Sequence, residues 1–288
     1  MPCPMDAPKP RNDELDFHGL THTGRVRGDN QDHFLICSLQ RRVEIHATSL
    51  PEPGAIAPAD PRAAFLAMVA DGVGGGAMGE EASRRAVQQV TSYVTESVRC
   101  YYAAAPDDVG LSEALTAAAL QTHEALVGES SSDPDRRGMA TTLTLWLGVW
   151  PDSYLLQVGD SRCYILRDGV LTQVSRDQTM AQELIDQGIL TAANAGRTRW
   201  ANTLSSSIGG SQTAPVVTRI AQRRGDIGLL CSDGLTRHVS DDRIQLRLAT
   251  MTSARQACEA LLQDALDGGG TDNITILIGR AIAAEPIR

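Results

Sequence analysis

The 288-residue chain has no long apolar run: nothing in it approaches the roughly 18 consecutive apolar residues that a membrane-spanning helix needs. It also lacks an apolar signal core. The opening MPCPMDAPKPRNDELD is polar and proline-rich, and residues 1–14 read as a disordered tail. Positive charge is in deficit, with 26 Lys+Arg against 35 Asp+Glu and a net charge of −9. Nucleic acid and anionic membrane both require a basic face, so neither is expected as a partner. The six cysteines, at positions 3, 37, 100, 163, 231 and 258, form no CxxC pair and no ordered framework. Reduced, buried thiols in a cytoplasmic compartment follow. Several catalytic signatures are missing as well. The glycine run 74–76 is not followed by Gly-Lys-Ser/Thr, there is no GxSxG elbow, and no HExxH or Cys/His set is present. The histidines at 18, 22, 33, 46, 123 and 238 are dispersed.

What is present is an ordinary globular composition, 42% hydrophobic and 21% charged, sufficient for a sizeable core. From Glu80 to Val98, the residues Ala86, Val87, Val90, Val94 and Val98 recur at three- and four-residue steps, which is one helix face. Leu111, Leu115, Ala118, Ala119 and Leu126 repeat that pattern over 111–127. Then the period changes. In ATTLTLWLGVW (140–150), Leu143, Leu145, Leu147 and Val149 alternate with Thr142, Thr144 and Trp146, which predicts a strand. YLLQVGD, CYILRDGVLTQV with a hairpin turn at Asp168-Gly169, DIGLLCSD and NITILIG predict further strands, and 241–266 predicts late helices. Residues 45–62 read as a surface loop, and 128–138 as a break between helix and strand. Strands in runs with few alternating helices predict an α+β fold of two packed, mainly antiparallel sheets covered by helices.

Carboxylates recur where strands meet turns. Asp71 follows FLAMVA and precedes Gly72; Asp233 follows IGLLCS and precedes Gly234; Asp272 follows the glycines 268–270 and precedes the strand NITILIG. Each alone is an ordinary turn residue. Together, with the third strand antiparallel to the others, they share one edge, where like charges repel unless a cation neutralises them. Hard oxygen ligands beside glycine point to magnesium or manganese.

In chain order the sequence reads GRVRGDNQDHF (24–34), VADGVGG (69–75), GMATTLTLW (138–146), VGDSRCYILRDGVLTQVSRDQT (158–179), LLCSDGL (229–235) and GGTDNITILI (269–278). This series resembles the bacterial form of the metal-dependent PPM (type 2C) protein serine/threonine phosphatases. The resemblance spans residues 15–282 as one phosphatase domain, leaving 283–288 as a C-terminal tail, and implies an αββα sandwich with a two-metal site at one end of the sheets. It implies Asp71 as the carboxylate bridging two Mn2+ or Mg2+ ions, Gly72 as a carbonyl ligand, and Asp233 and Asp272 as the remaining ligands. Asp135 matches the residue that helps hold a third, weaker ion, with Asp133 the other register of that loop. Arg27 matches the arginine that grips phosphate, and Gln31 and Asp32 belong to the catalytic Asn-x-Asp segment. Two positions depart from the pattern. Gln31 stands where Glu is usual, and its amide can still hydrogen-bond a metal-bound water. Val73 stands where some members carry a histidine acid. Residues 176–212 fall where bacterial members carry a flap, with Arg197 and Arg199 placed to meet a phosphoprotein.

The activity implied is hydrolysis of phosphoserine and phosphothreonine on proteins by a water activated between two ions, reversing a serine/threonine kinase, in a monomeric protein. Two other readings share these residues: a non-catalytic sensor on the same fold, and a phosphatase narrowed to a regulator of the anti-sigma-antagonist type.

Overall fold

The structure, a computed structural model, describes residues 8–40, 62–74, 77–101, 108–133, 136, 138–196 and 198–282. Two antiparallel sheets face each other. One has five strands in the order β1 (Leu15–His22), β11 (Ile274–Ala281), β10 (Ile227–Cys231), β7 (Arg162–Arg167) and β8 (Val170–Gln173). The other has six: β2 (Asp32–Gln40), β3 (Arg62–Val73), β5 (Leu143–Val149), β6 (Asp152–Val158) and β9 (Val216–Ala221), with β4 (Ala140–Thr141) paired to the end of β3.

Apolar patterning explains the layers. Helices α1 (Ala77–Tyr101) and α2 (Asp108–Ser132) lay Ala82, Val90, Val94, Leu111, Leu115, Ala118 and Leu126 over the six-stranded sheet, against Leu143, Leu145 and Leu147 of β5. The short helices α3 (Met180–Asp186), α4 (Ala192–Ala195) and α5 (Asp233–Thr236) lie in the connections. Helices α6 (Asp241–Ala249) and α7 (Ala254–Asp267) bury Ile244, Leu248, Ala257, Cys258 and Leu261 against Ile274, Ile276 and Ile278 of the other sheet. Between the sheets Ala67, Val69, Leu230 and Leu277 meet, with Phe34, Phe65 and Trp146 beside them. Strand β5 is therefore covered on both faces, and Thr142 and Thr144 are as buried as its leucines. The layers run helix, sheet, sheet, helix, as the α+β expectation has it.

Local chemistry sets the connections. The predicted hairpin joins β7 to β8 with Asp168 at φ 52° and Gly169 at φ 80°, and Arg167 faces Val170 across it. Positive φ at both central residues is the two-residue turn that matches strand twist. Helix α2 continues to Ser132, into the stretch expected as a break, and its terminal serines bond backward: Ser131 Oγ donates to the Val127 carbonyl at 2.8 Å and Ser132 Oγ to that of Glu129 at 3.0 Å. The 45–62 loop lies outside the described residues except for Arg62. Cys37, Cys163, Cys231 and Cys258 are free thiols. Among the described residues no helix is long and apolar enough to cross a membrane.

Candidate metal centre

Strands from both sheets deliver carboxylates to one end of the sandwich. Asp71 sits near the end of β3, directly across from Asp32, the first residue of β2. On the other sheet β10 and β11 are antiparallel, so Asp233, just past the end of β10, and Asp272, just before β11, reach the same edge. The edge expected from sequence is thus two edges facing each other, with Asp71 on one sheet and Asp233 and Asp272 beside the other.

Close backbone packing fixes these positions. A Cβ at Gly234 would collide with the carbonyl oxygen of Asn273, which brings the turn after β10 against the residue following Asp272. A Cβ at Gly72 would collide with the backbone of Gly79 in the first turn of α1, and the Gly72 N–H donates to the Gln31 carbonyl at 3.2 Å. Gly24, at φ +84°, leaves room for the Asp272 carbonyl, and the Arg25 N–H donates to the Gly270 carbonyl at 2.7 Å. The β1–β2 loop carrying Arg27 is thereby docked on the loop carrying Asp272. Asn273 completes this joint. Its Nδ2 donates to the Thr23 and Asp29 carbonyls, each at 2.9 Å, and its Oδ1 accepts the Gln31 N–H at 2.9 Å.

The GMATT segment secures Asp71. Thr142 Oγ1 accepts the Asp71 N–H at 3.0 Å, while the Thr142 N–H and Thr141 Oγ1 donate to the Asp71 carbonyl at 2.9 and 2.8 Å. Asp32 is 3% exposed and ties the sheets together: its Oδ2 accepts hydroxyls from Ser232 and Thr275, both at 2.7 Å. Its Oδ1 is buried without a hydrogen-bond partner. An orphaned buried carboxylate oxygen is costly and points to a cation or ordered water.

Electrostatics agree. Burial, with the Asp32 and Asp233 charges next, pushes the Asp71 carboxyl well above the usual carboxylate range. Burial also raises Asp32 to about 6, the two hydroxyls pulling part of the shift back. Burial raises Asp233 too, opposed by Arg237. Asp160, in the turn between β6 and β7, rises to about 7 through burial and the neighbouring Asp233. Asp160 is the acidic residue that sequence reasoning passed over. Its signal was present, because YLLQVGD is an apolar strand ending in aspartate, but here the glycine precedes the acid.

Arginines engage Asp272 and Asp233. Arg27 forks Asp272, with Nε 2.8 Å from Oδ1 and Nη2 2.8 Å from Oδ2. Arg237, one turn beyond Asp233, contacts Asp233 Oδ2 through Nε at 2.9 Å and also through Nη2, and its Nη1 lies 3.3 Å from Asp272 Oδ2. Among the described residues no three His, Cys, Asp or Glu side chains are already gathered closely enough to hold an ion. The donor set is nonetheless all hard oxygen, crowded and short of positive charge, and it fits divalent magnesium or manganese.

The remaining expected residues divide. Gln31 turns its side chain toward Gly79 at the start of α1, where a Cβ would collide with its Oε1. Val73 pairs with Ala140 of β4. Asp135 and Arg197 lie outside the described residues. Asp133 pairs with Arg136 at 3.3 Å. Arg199 stacks over Trp200, 4.3 Å from the ring centre. The expected flap is stitched back to the site where Thr141 and Ile208 exchange backbone hydrogen bonds, both at 2.9 Å.

Comparison with known proteins gives the same direction. The Protein phosphatase 2C family profile matches residues 55–267. The chain is 34% identical over 221 residues to the serine/threonine protein phosphatase PstP of Mycobacterium tuberculosis, covering 76% of this chain and 41% of that protein. It therefore spans less than half the length of that relative. It is 29% identical over 214 residues to the serine/threonine phosphatase stp of Listeria monocytogenes, covering 74% of this chain and 83% of that one. Among solved structures, Mycobacterium tuberculosis PstP/Ppp superposes with a TM-score of 0.75 at 30% identity, covering 93% of this chain and 99% of that one. The PstP catalytic domain in complex with 2 manganese ions gives a TM-score of 0.70 at 29% identity, with coverage of 93% and 99%. By sequence and by architecture, the chain belongs to the Protein phosphatase 2C family.

Proposed function

We propose that the chain hydrolyses phosphoserine and phosphothreonine on proteins, using two divalent ions, Mn2+ or Mg2+, held by Asp71, Gly72, Asp233 and Asp272. The observation that carries this reading is the convergence of carboxylates from both sheets, with the buried, unpartnered Oδ1 of Asp32 beneath them. Bound divalent ions lower the pKa of a coordinated water toward ~7 and offset phosphate charge. The chain's own residues do the rest. Asp32 holds the two sheets in register through Ser232 and Thr275 and stands against Asp71. Arg27, half exposed and paired with Asp272, carries a planar fork that would suit phosphate oxygens. Asp160, beside Asp233, extends the acidic floor.

The manganese complex of the PstP catalytic domain supports the choice of ion, and the names of the relatives support phosphoserine and phosphothreonine as substrates. The domain bounds 15–282 are supported by the terminal strands, since Leu15 pairs with Ala281. Partners on this reading are phosphoproteins and the kinase that modifies them. The test is phosphate release from a phosphothreonine peptide with manganese and with chelator. Release that requires manganese is expected; none under either condition contradicts the reading.

A further inference from the structure

Arg237 has a position that the phosphatase reading leaves unused. Asp233 begins α5 and Arg237 follows directly after its end, so the i,i+4 spacing returns the guanidinium over the Asp233 carboxylate. The same guanidinium reaches across to the other sheet-end loop, where Nη1 lies 3.3 Å from Asp272 Oδ2. One cation therefore bridges two carboxylates that arrive from different strands. Its side chain is 33% exposed against 52% for Arg27, so it is the more covered of the two arginines on these carboxylates. Asp160 is close enough to interact electrostatically with the same guanidinium.

The consequence is electrostatic. In the absence of metal, carboxylates packed this closely repel one another, and a resident positive charge removes much of that cost. The oxygens engaged by Arg237, however, belong to the residues assigned to the ions. A guanidinium and a dication compete for those oxygens, and at a few ångströms they repel directly.

We propose that Arg237 is a built-in counter-cation of the metal centre: its charge offsets Asp233 and Asp272 when no metal is bound and competes with the ions for both carboxylates. The proposal rests on the metal-centre reading above. Arg237 is then a positioning residue that stabilises the empty site and sets the metal concentration at which the site fills.

The test is a calorimetric manganese titration of the parent, Arg237→Met and Arg237→Lys, with thermal melts in chelator and in saturating manganese. Arg237→Met keeps the aliphatic stem and removes the charge. It should bind manganese more tightly, by roughly 10-fold or more, the scale of changes to groups surrounding metal ligands. Its melting temperature should fall in chelator and return to the parent's value in manganese. Arg237→Lys, which keeps the charge and loses the fork, should lie between. Equal or weaker manganese affinity in Arg237→Met overturns the proposal, and so does a loss of stability that manganese does not restore, since that is ordinary structural damage. If Arg237→Met fails to fold, the Lys variant decides: affinity no tighter than the parent's counts against. A parent that takes up no manganese removes the metal-centre reading itself, a distinct result that takes this proposal with it.

Discussion

Asp32 and Asp71 face each other across the β2–β3 ladder, the first sending one oxygen to Ser232 and Thr275 of the opposite sheet and leaving the other without a partner. Like charges directly opposite on paired strands destabilise a sheet. Among the described residues this cost falls at the end where Asp233, Asp272 and Asp160 also gather.

That arrangement predicts an unusual pH dependence for the metal-free protein. Folding raises Asp32 to about 6 and Asp160 to about 7, with Asp71 and Asp233 also raised, whereas an unfolded aspartate titrates near 3.9. Between those values the folded state binds more protons than the unfolded one, so stability falls as pH rises. In chelator, the melting temperature should therefore decline from pH 5 to pH 7.5. In saturating manganese the decline should flatten, because bound cations favour the ionised carboxylates. A melting temperature in chelator that rises over this window would contradict the assigned burial of the cluster.

Gly234→Ala should damage the site through the backbone. The added Cβ meets the Asn273 carbonyl oxygen, which cannot move without carrying Asp272 with it. Overpacking of this kind costs about 1–3 kcal/mol. The urea midpoint should drop accordingly, while Gly28→Ala, with no heavy atom near the new Cβ, leaves it unchanged. Equal midpoints for both variants would remove the close approach from the account.

Arg27→Ala separates phosphate binding from metal binding. Manganese uptake should persist, since Asp71, Asp233 and Asp272 are intact. The Michaelis constant for a phosphopeptide should rise roughly 10-fold or more, as a hydrogen bond to a charged group contributes about 1.5–3 kcal/mol. An unchanged Michaelis constant would confine Arg27 to its ion pair with Asp272.

Much of this was legible in the chain. The three- and four-residue spacing of Ala86, Val90 and Val94, and of Leu111, Leu115 and Ala118, places α1 and α2, and each of these side chains is buried. The alternation in β5 was equally plain, but its second face was not. Thr144 and Trp146 look half-polar in sequence and are covered because a second sheet packs over them, a tertiary fact that period alone does not carry. The aspartates 71, 233 and 272 were marked by strand-to-turn junctions. Asp160 escaped because its glycine precedes it, and Arg237 because an arginine one turn past an aspartate is usually a solvated helix pair. Its reach to Asp272 depends on the antiparallel pairing of β10 with β11, and no local pattern encodes that.

The most direct test of the central claim is manganese-dependent phosphate release from a phosphothreonine peptide by the parent and by Asp272→Asn, compared in one assay after circular dichroism shows both folded. Asp272 lies at the end of the α7–β11 loop, its carboxylate held by Arg27, Arg237 and the Asn273 N–H, and the account makes that carboxylate an ion ligand. Release by the parent should climb with manganese and saturate, while release by Asp272→Asn should stay at the chelator baseline at every manganese concentration. Parent-like release by Asp272→Asn at saturating manganese would contradict the account and place the metal elsewhere.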